Sequence, residues 1–173
     1  MTLNIKSIIL LLVAAVLPAT AFSSPVMMSA EWAQNACDAW NNEPVLTNDL
    51  VDSGWVSNDD DRGFKIMQIY RTDCENSEKV EMHISEKDGK AQCIYGGALT
   101  NNTLSKKVDY VMHATTERWQ QMGAGEYGPM KAMMFGRLKF TGPKWEAMQN
   151  MGPFKKFLLL AGTVPSEQTT CPQ

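Results

Sequence analysis

Histidine is scarce in this sequence: His83 and His113 are the only two in 173 residues. Asp109 and His113 lie on one predicted strand, about 13 Å apart at ~3.3 Å per residue. No Gly-x-Ser-x-Gly turn is present. A serine hydrolase therefore lacks its parts, and no other nucleophile–base set replaces it, so both histidines read as surface residues and the chain does not read as an enzyme. Cysteine is limited to Cys37, Cys74, Cys93 and Cys171, never in Cys-x-x-Cys spacing. That excludes a thioredoxin-type redox pair and an attached c-type haem, and intervals so wide do not suit zinc.

Positive charge is also in short supply, with 16 basic against 19 acidic residues and a net charge of −3. A nucleic-acid partner calls for a clustered basic surface, which the sequence does not offer. Asp49, Asp52 and Asp59-Asp60-Asp61 invite comparison with a calcium loop. Placing Gly63 at the invariant glycine, however, sets Arg62 on a ligand position and Ile69 where the bidentate Glu belongs. The aspartates read as a solvated turn, and no cofactor is indicated.

Long apolar runs are missing too. A membrane-crossing helix needs ~20 apolar residues, and the run at 8–17 is only half that. With Lys6 before it and Ala19-Thr20-Ala21 after it, it has the form of a cleavable export signal, residues 1–21. No cysteine follows as a lipoprotein would require. Residues 22–173 then make one exported, periplasmic domain, with a net charge of −4 once Lys6 is gone. An even number of cysteines in such a domain implies two disulfides. Cys74 and Cys93 flank two neighbouring predicted strands, so Cys74–Cys93 is the expected bridge. Cys37–Cys171 would then tie the first helix to the C-terminal tail.

What is present is regular patterning. Ser29 can cap a helix whose apolar stripe is Trp32, Ala36 and Trp40, with Ala33 and Cys37 beside it. Residues 47–63 are polar and predict a loop with a short strand near Trp55. Residues 64–71, 79–85 and 91–99 carry strand signals, the last two joined at Asp88-Gly89. In the middle strand Val80, Met82 and Ile84 alternate with Glu81 and His83, which predicts one covered face. A fourth strand is expected over 104–114, then a helix capped by Thr115 or Thr116 and carrying Trp119 and Met122. A short helix should start at Pro129, a strand should occupy 135–140, and a helix from Pro143 should be interrupted at Gly152-Pro153. A last short helix would carry Phe154, Phe157 and Leu158. Strands in a row followed by mixed helix and strand is an α+β pattern.

From Asp109 to about Leu160 the chain resembles the sterol carrier protein type 2 family. The resemblance is carried by "DYVMHATTERW", Gly125, and "GPMKAMMFGRLKFTG" with Pro129, Ala132, Gly136, Leu138, Lys139 and Gly142. It implies a five-stranded, mainly antiparallel sheet covered on one face by helices, with an apolar tunnel for sterols, fatty acyl chains or phospholipids. The chain departs from the family pattern in its export signal, its four cysteines and the split closing helix. It ends in Cys-Pro-Gln where the best-known members carry a peroxisomal address.

The residues speak to the same point independently. Seven methionines lie between Met112 and Met151, and flexible thioethers adapt to irregular or variable contacts. A pocket of Met, Phe, Leu and Trp would accept an acyl chain or ring system. Its candidate lining is Met112, Trp119, Met133, Phe135, Leu138, Met148, Phe154 and Phe157; an ordinary packed core is the alternative. The run "FKKFLLLAG" (154–162) is either a helix packed over the sheet edge or a gate making transient membrane contact. Thioethers also bind Cu(I), so a copper-binding protein built on Met130, Met133, Met134, Met148 and Met151 is the rival, beside a purely structural domain. The expected function is carriage of a hydrophobic small molecule or lipid through the periplasm.

Overall fold

A computed structural model describes residues 23–75, 79–100 and 103–172, and the expected export signal at 1–21 lies outside them. The first helix, α1 (Ala30–Asn41), starts where the Ser29 hydroxyl accepts a 3.2 Å hydrogen bond from Trp32 N–H. Its buried stripe is Trp32, Ala33, Ala36, Cys37 and Trp40, as the spacing predicts. The expected strand near Trp55 is absent. In the loop's place Glu43 caps α2 (Pro44–Thr47), with Pro44 preset for a first helical turn, and α3 (Asp49–Asp52) follows.

The sheet comprises β1 (Lys65–Arg71), β2 (Val80–Lys87), β3 (Lys90–Ala98), β4 (Tyr110–Ala114) and β5 (Lys139–Thr141). Their order is β3-β2-β1-β4-β5; β1 and β4 run parallel and the other pairs antiparallel. The remaining helices are α4 (Thr116–Gly123), α5 (Pro129–Met134), α6 (Lys144–Gln149) and α7 (Met151–Thr163). The α+β architecture is the expected one. The core lies between the helices and the sheet face that carries Met67, Ile69, Val80, Met82, Ile84 and Met112.

Several boundaries differ from expectation, each for a local reason. The fourth strand begins at Tyr110 rather than near 104, because Asp109 organises a turn before it. Its carboxylate accepts from Ser105 N–H and Ile66 N–H, both at 2.7 Å, and from the Arg62 guanidinium. The strand expected over 135–140 shrinks to β5. The N–H groups of Arg137 and Leu138 both turn back to the Ala132 carbonyl, and Gly136 sits at φ +64°. The last helix is broken at Asn150, not at Gly152-Pro153. Pro153 falls within the first turn of α7, where a backbone N–H has no helical partner to lose.

The disulfides also pair differently, as Cys37–Cys93 and Cys74–Cys171. Cys93 lies on β3 and Cys74 just beyond β1, with β2 between them. Strands two apart are separated by ~9.5 Å, too far for a bridge. Cys93 instead faces α1 across a Cα–Cα distance of 5.2 Å.

His83 is not a surface residue. It stacks between Phe64 (4.6 Å) and Tyr95 (4.8 Å), and its Nε2 is 2.6 Å from Glu81. Glu81 has no exposed surface and also accepts from Gln68 and Thr100. The second face of β2 is thus covered by its own aromatic and polar neighbours. His113 is half-buried against Tyr70.

Candidate functional site

Between α1–α3, the sheet and α6–α7 lies an apolar cavity of about 30 Å³, room for a water molecule or two. Its wall is a closed circuit of six aromatic side chains. Trp40 meets Trp55 at 6.4 Å, Trp55 stacks on Tyr110 at 5.8 Å, and Tyr110 meets Phe140 at 5.4 Å. Phe140 reaches Phe154 at 5.7 Å, Phe154 reaches Phe157 at 6.4 Å, and Phe157 returns to Trp40 at 6.3 Å. Leu46 and Leu50 close one side, Met67 and Met112 the sheet side, and Ala147, Asn150 and Pro153 the junction of α6 and α7.

The strands place these groups by simple alternation. Met67 on β1 and Tyr110 on β4 are register partners, as are Ile69 and Met112, so Met67, Tyr110 and Met112 share one sheet face. Trp55 arrives from the turn after α3. The sheet-to-helix strap 135–143 brings in Phe140, and Gly142 lets it pass. At φ +138°, a Cβ on Gly142 would lie 2.5 Å from the Asp109 carbonyl.

Behind Trp55 and Tyr110, outside the cavity's own lining, lies a charged pair. Lys65, in the same face of β1, is fully buried. Its Nζ lies 2.8 and 3.0 Å from the two carboxylate oxygens of Glu146 on α6, and 4.5 Å from the centre of the Trp55 ring. The Tyr110 hydroxyl donates to Glu146 and accepts from Trp55 Nε1 at 2.9 Å; Asn58 adds a 2.7 Å donor to the same carboxylate. Burial pushes the Lys65 ammonium below its ordinary range, and Glu146 opposes that. Burial and the Glu146 carboxylate push the Tyr110 phenol far above its own range, so it stays a donor. Ser53 and Asn150 continue the network at 2.7 Å, and Asn150 also donates to the Glu146 carbonyl.

Of the residues singled out in the sequence, Met112, Phe154 and Phe157 line this cavity. Trp119 is buried elsewhere, its Nε1 donating to the Tyr70 carbonyl at 3.1 Å. Leu138 is buried in the core and Met133 packs against it half-buried. Phe135 and Met148 point outward, 66% and 45% exposed. Placement on the strap and on α6 was legible; which side of each short helix turned inward was not. The run at 154–162 packs Phe154, Phe157, Leu158 and Leu160 inward. The methionines of α5 diverge, with Met130 and Met134 exposed and Met133 against the core. Among the described residues no three His, Cys, Asp or Glu side chains converge as a metal site.

Sequence reasoning missed Trp40, Trp55, Tyr110 and Phe140 as the cavity's aromatic frame, and the buried Lys65–Glu146 pair beside it. Lys65 had a signal. It stands at the alternate position to Met67 and Ile69, so a strand beginning there must bury a lysine.

Residues 55–155 match the model of the SCP-2 sterol transfer family. Among solved structures, the chain is similar to a crystal structure of sterol carrier protein 2, with 16% identity and a TM-score of 0.52, covering 80% of this chain and 99% of that one. A conserved hypothetical protein of Thermus thermophilus is similar at 18% identity and a TM-score of 0.48, covering 85% and 97%. Compared with curated protein sequences, the chain finds no match.

Proposed function

The chain belongs to the SCP-2 sterol transfer family, and from that premise we propose that it binds a hydrophobic small molecule at the aromatic-walled cavity and carries it through the periplasm. The observation that supports this most directly is the closed aromatic circuit around an apolar void. The phenylalanine rings and thioethers at such a site can shear past one another to admit a guest, since side chains of these types form no strong directional bonds. Met67 and Met112 on the sheet side and Phe154 and Phe157 on α7 would yield first. Each methylene moved from water into the cavity contributes ~0.8 kcal/mol, so useful affinity needs no catalytic group. The polar edge of a guest would meet Tyr110, Trp55 and Asn150. The expected export signal and two disulfides support an oxidising, extracytoplasmic location.

The test is mass spectrometry of the protein purified without detergent from a native periplasm. A sterol, fatty acyl or phospholipid species is expected to co-purify, and Met112→Trp, which fills the cavity from the sheet side, is expected to reduce its amount. Protein that carries no hydrophobic molecule and does not take up a fluorescent acyl probe would defeat the reading.

A further inference from the structure

Two helices, α6 beside the cavity and α5 packed on α7, leave apolar side chains in water. On α5 Met130 and Met134, four residues apart, share an outer face that Phe135 extends; they are 41%, 72% and 66% exposed. On α6 Trp145 and Met148, three apart, do the same at 71% and 45%. The inner side of α6 carries Glu146, Ala147 and the Asn150 cap, which face Lys65 and the cavity. Trp145 is the one exposed tryptophan of five: Trp32, Trp40, Trp55 and Trp119 are all buried.

Charge is distributed in step with this. Residues 129–156 hold six of the chain's sixteen basic residues and one of its nineteen acidic residues. That one is Glu146, turned inward onto Lys65. Lys131, Lys139, Lys144 and Lys155 are exposed, and the Arg137 guanidinium lies over the Tyr127 ring. Lys156 is paired with Glu43. Acidic neighbours stand at the margins. Glu126 precedes α5, and the turn with Asp59–Asp61 approaches α6 from the Glu146 side through Asn58. An acidic chain thus gathers basic, aromatic and thioether side chains within residues 129–156.

We propose that the outer faces of α5 and α6 are a docking surface for an anionic lipid bilayer. Aromatic and methionine side chains would enter the interface while the lysines meet acidic headgroups, each contributing roughly a few-fold to partitioning. A second copy of the chain fits poorly, because a two-fold contact would set Lys131, Lys139 and Lys144 against their own equivalents. The proposal rests on the carrier reading above and names the partner for loading and release. It also gives α6 a role: the helix that would touch the membrane is the one that carries Ala147 against the cavity and Glu146 onto Lys65.

The experiment uses full-length mature protein and two vesicle types, phosphatidylcholine alone and phosphatidylcholine with phosphatidylglycerol. Co-sedimentation with the second but not the first is expected, weakening as salt rises, with a blue shift and quencher protection from Trp145. The double change Trp145→Ser with Met148→Ser should abolish the association. Lys131→Gln, Lys139→Gln and Lys144→Gln together should lower it about a hundredfold. Both variants should still take up an acyl probe in vesicle-free solution. Wild-type protein that takes up the probe yet ignores anionic vesicles would overturn the proposal and leave the carrier reading intact. Equal association with neutral vesicles, or a dimer in sedimentation that the serine variant dissolves, would overturn it too. Vesicle association without probe uptake would support docking while sinking the carrier reading.

Discussion

The two ends of the helical layer are held by different means. The α1 end is held by a covalent bond and by close backbone packing, with hydrogen bonds beside them. Cys37 is bridged to Cys93, the Trp40 indole donates to the Ala91 carbonyl at 2.8 Å, and Asn41 brackets Cys93 with bonds to its N–H and C=O. Gly96 lets α1 lie so close that a Cβ there would stand 2.2 Å from the Ala33 carbonyl. At the α6 end a six-residue helix without a side-chain cap has one buried apolar residue, Ala147. Its chief tie is the Lys65–Glu146 pair with Tyr110 and Asn58. Covalent and steric locks have no alternative partner, whereas a charge pair can exchange its partner for water. The contrast teaches that the cavity has a fixed wall and a removable one.

Removing the lock should have the largest effect. Cys37→Ala with Cys93→Ala frees a loop spanning 56 positions, at a cost of roughly 4 kcal/mol in the chain-entropy view. In urea unfolding the midpoint should drop sharply. A loss below about 1 kcal/mol would mean that the α1 end is no more fixed than the other. Next comes the seam between α4 and α7, where Gly123 and Gly162 meet backbone to backbone. A Cβ on Gly162 would lie 2.4 Å from the Gly123 carbonyl. Alanine gains about 1 kcal/mol of helix propensity over glycine, but backbone cannot move aside as a side chain can. Gly162→Ala should therefore destabilise by about 2 kcal/mol, and a stabilised variant would show that the seam is slack.

Glu146→Ala sharpens the comparison from the other side. Stripping the partner from a buried charge typically costs about 3–5 kcal/mol when the charge stays buried. If α6 is the removable wall, it swings out, Lys65 is hydrated and the loss falls to about 1–2 kcal/mol. Hydrogen exchange of the amides in α6 should then quicken while those of α1 hold. The full penalty, with α6 still protected, would make both ends equally rigid.

How much of this could be read from the sequence depends on how local the cause was. The α1 stripe, a helix cap at Thr115 or Thr116, the Asp88-Gly89 turn and the proline-started α5 rest on neighbours in sequence, and each was legible. So were the motif glycines, since Gly136 at φ +64° and Gly142 at φ +138° occupy backbone that side chains resist. The disulfide pairing was not, because it follows from strand order, and the parallel β1–β4 pair is invisible to periodicity. The cavity's frame shows the same limit. Trp55 sits in a polar stretch, Trp40 on a helix and Phe140 on a strap, and only the fold sets them edge to edge. Strand alternation marks Lys65 for burial, but its partner Glu146 is far off in sequence, and a solvated surface is the default reading of that residue.

The smallest expected effect concerns acid, and it bears on the fixed parts of the molecule. Glu81 lies in the sheet face away from the cavity. Burial alone would raise its carboxyl, but hydrogen bonds from His83, Thr100 and Gln68 outweigh this and hold it below the ordinary range. A depressed folded value means that the unfolded chain takes up the proton first as pH falls. The stability Glu81 lends is therefore complete above the usual carboxylate range of ~4 and is lost as pH drops below it. Urea titrations from about pH 6 to about pH 3 should show unfolding free energy declining, and Glu81→Gln should flatten that decline. The decline should be cooperative, with α1 and the sheet losing exchange protection together, since Glu81 supports the sheet rather than α6. An unaltered slope in Glu81→Gln would place the acid sensitivity elsewhere. Exchange that quickens in α6 alone would move it to the removable wall.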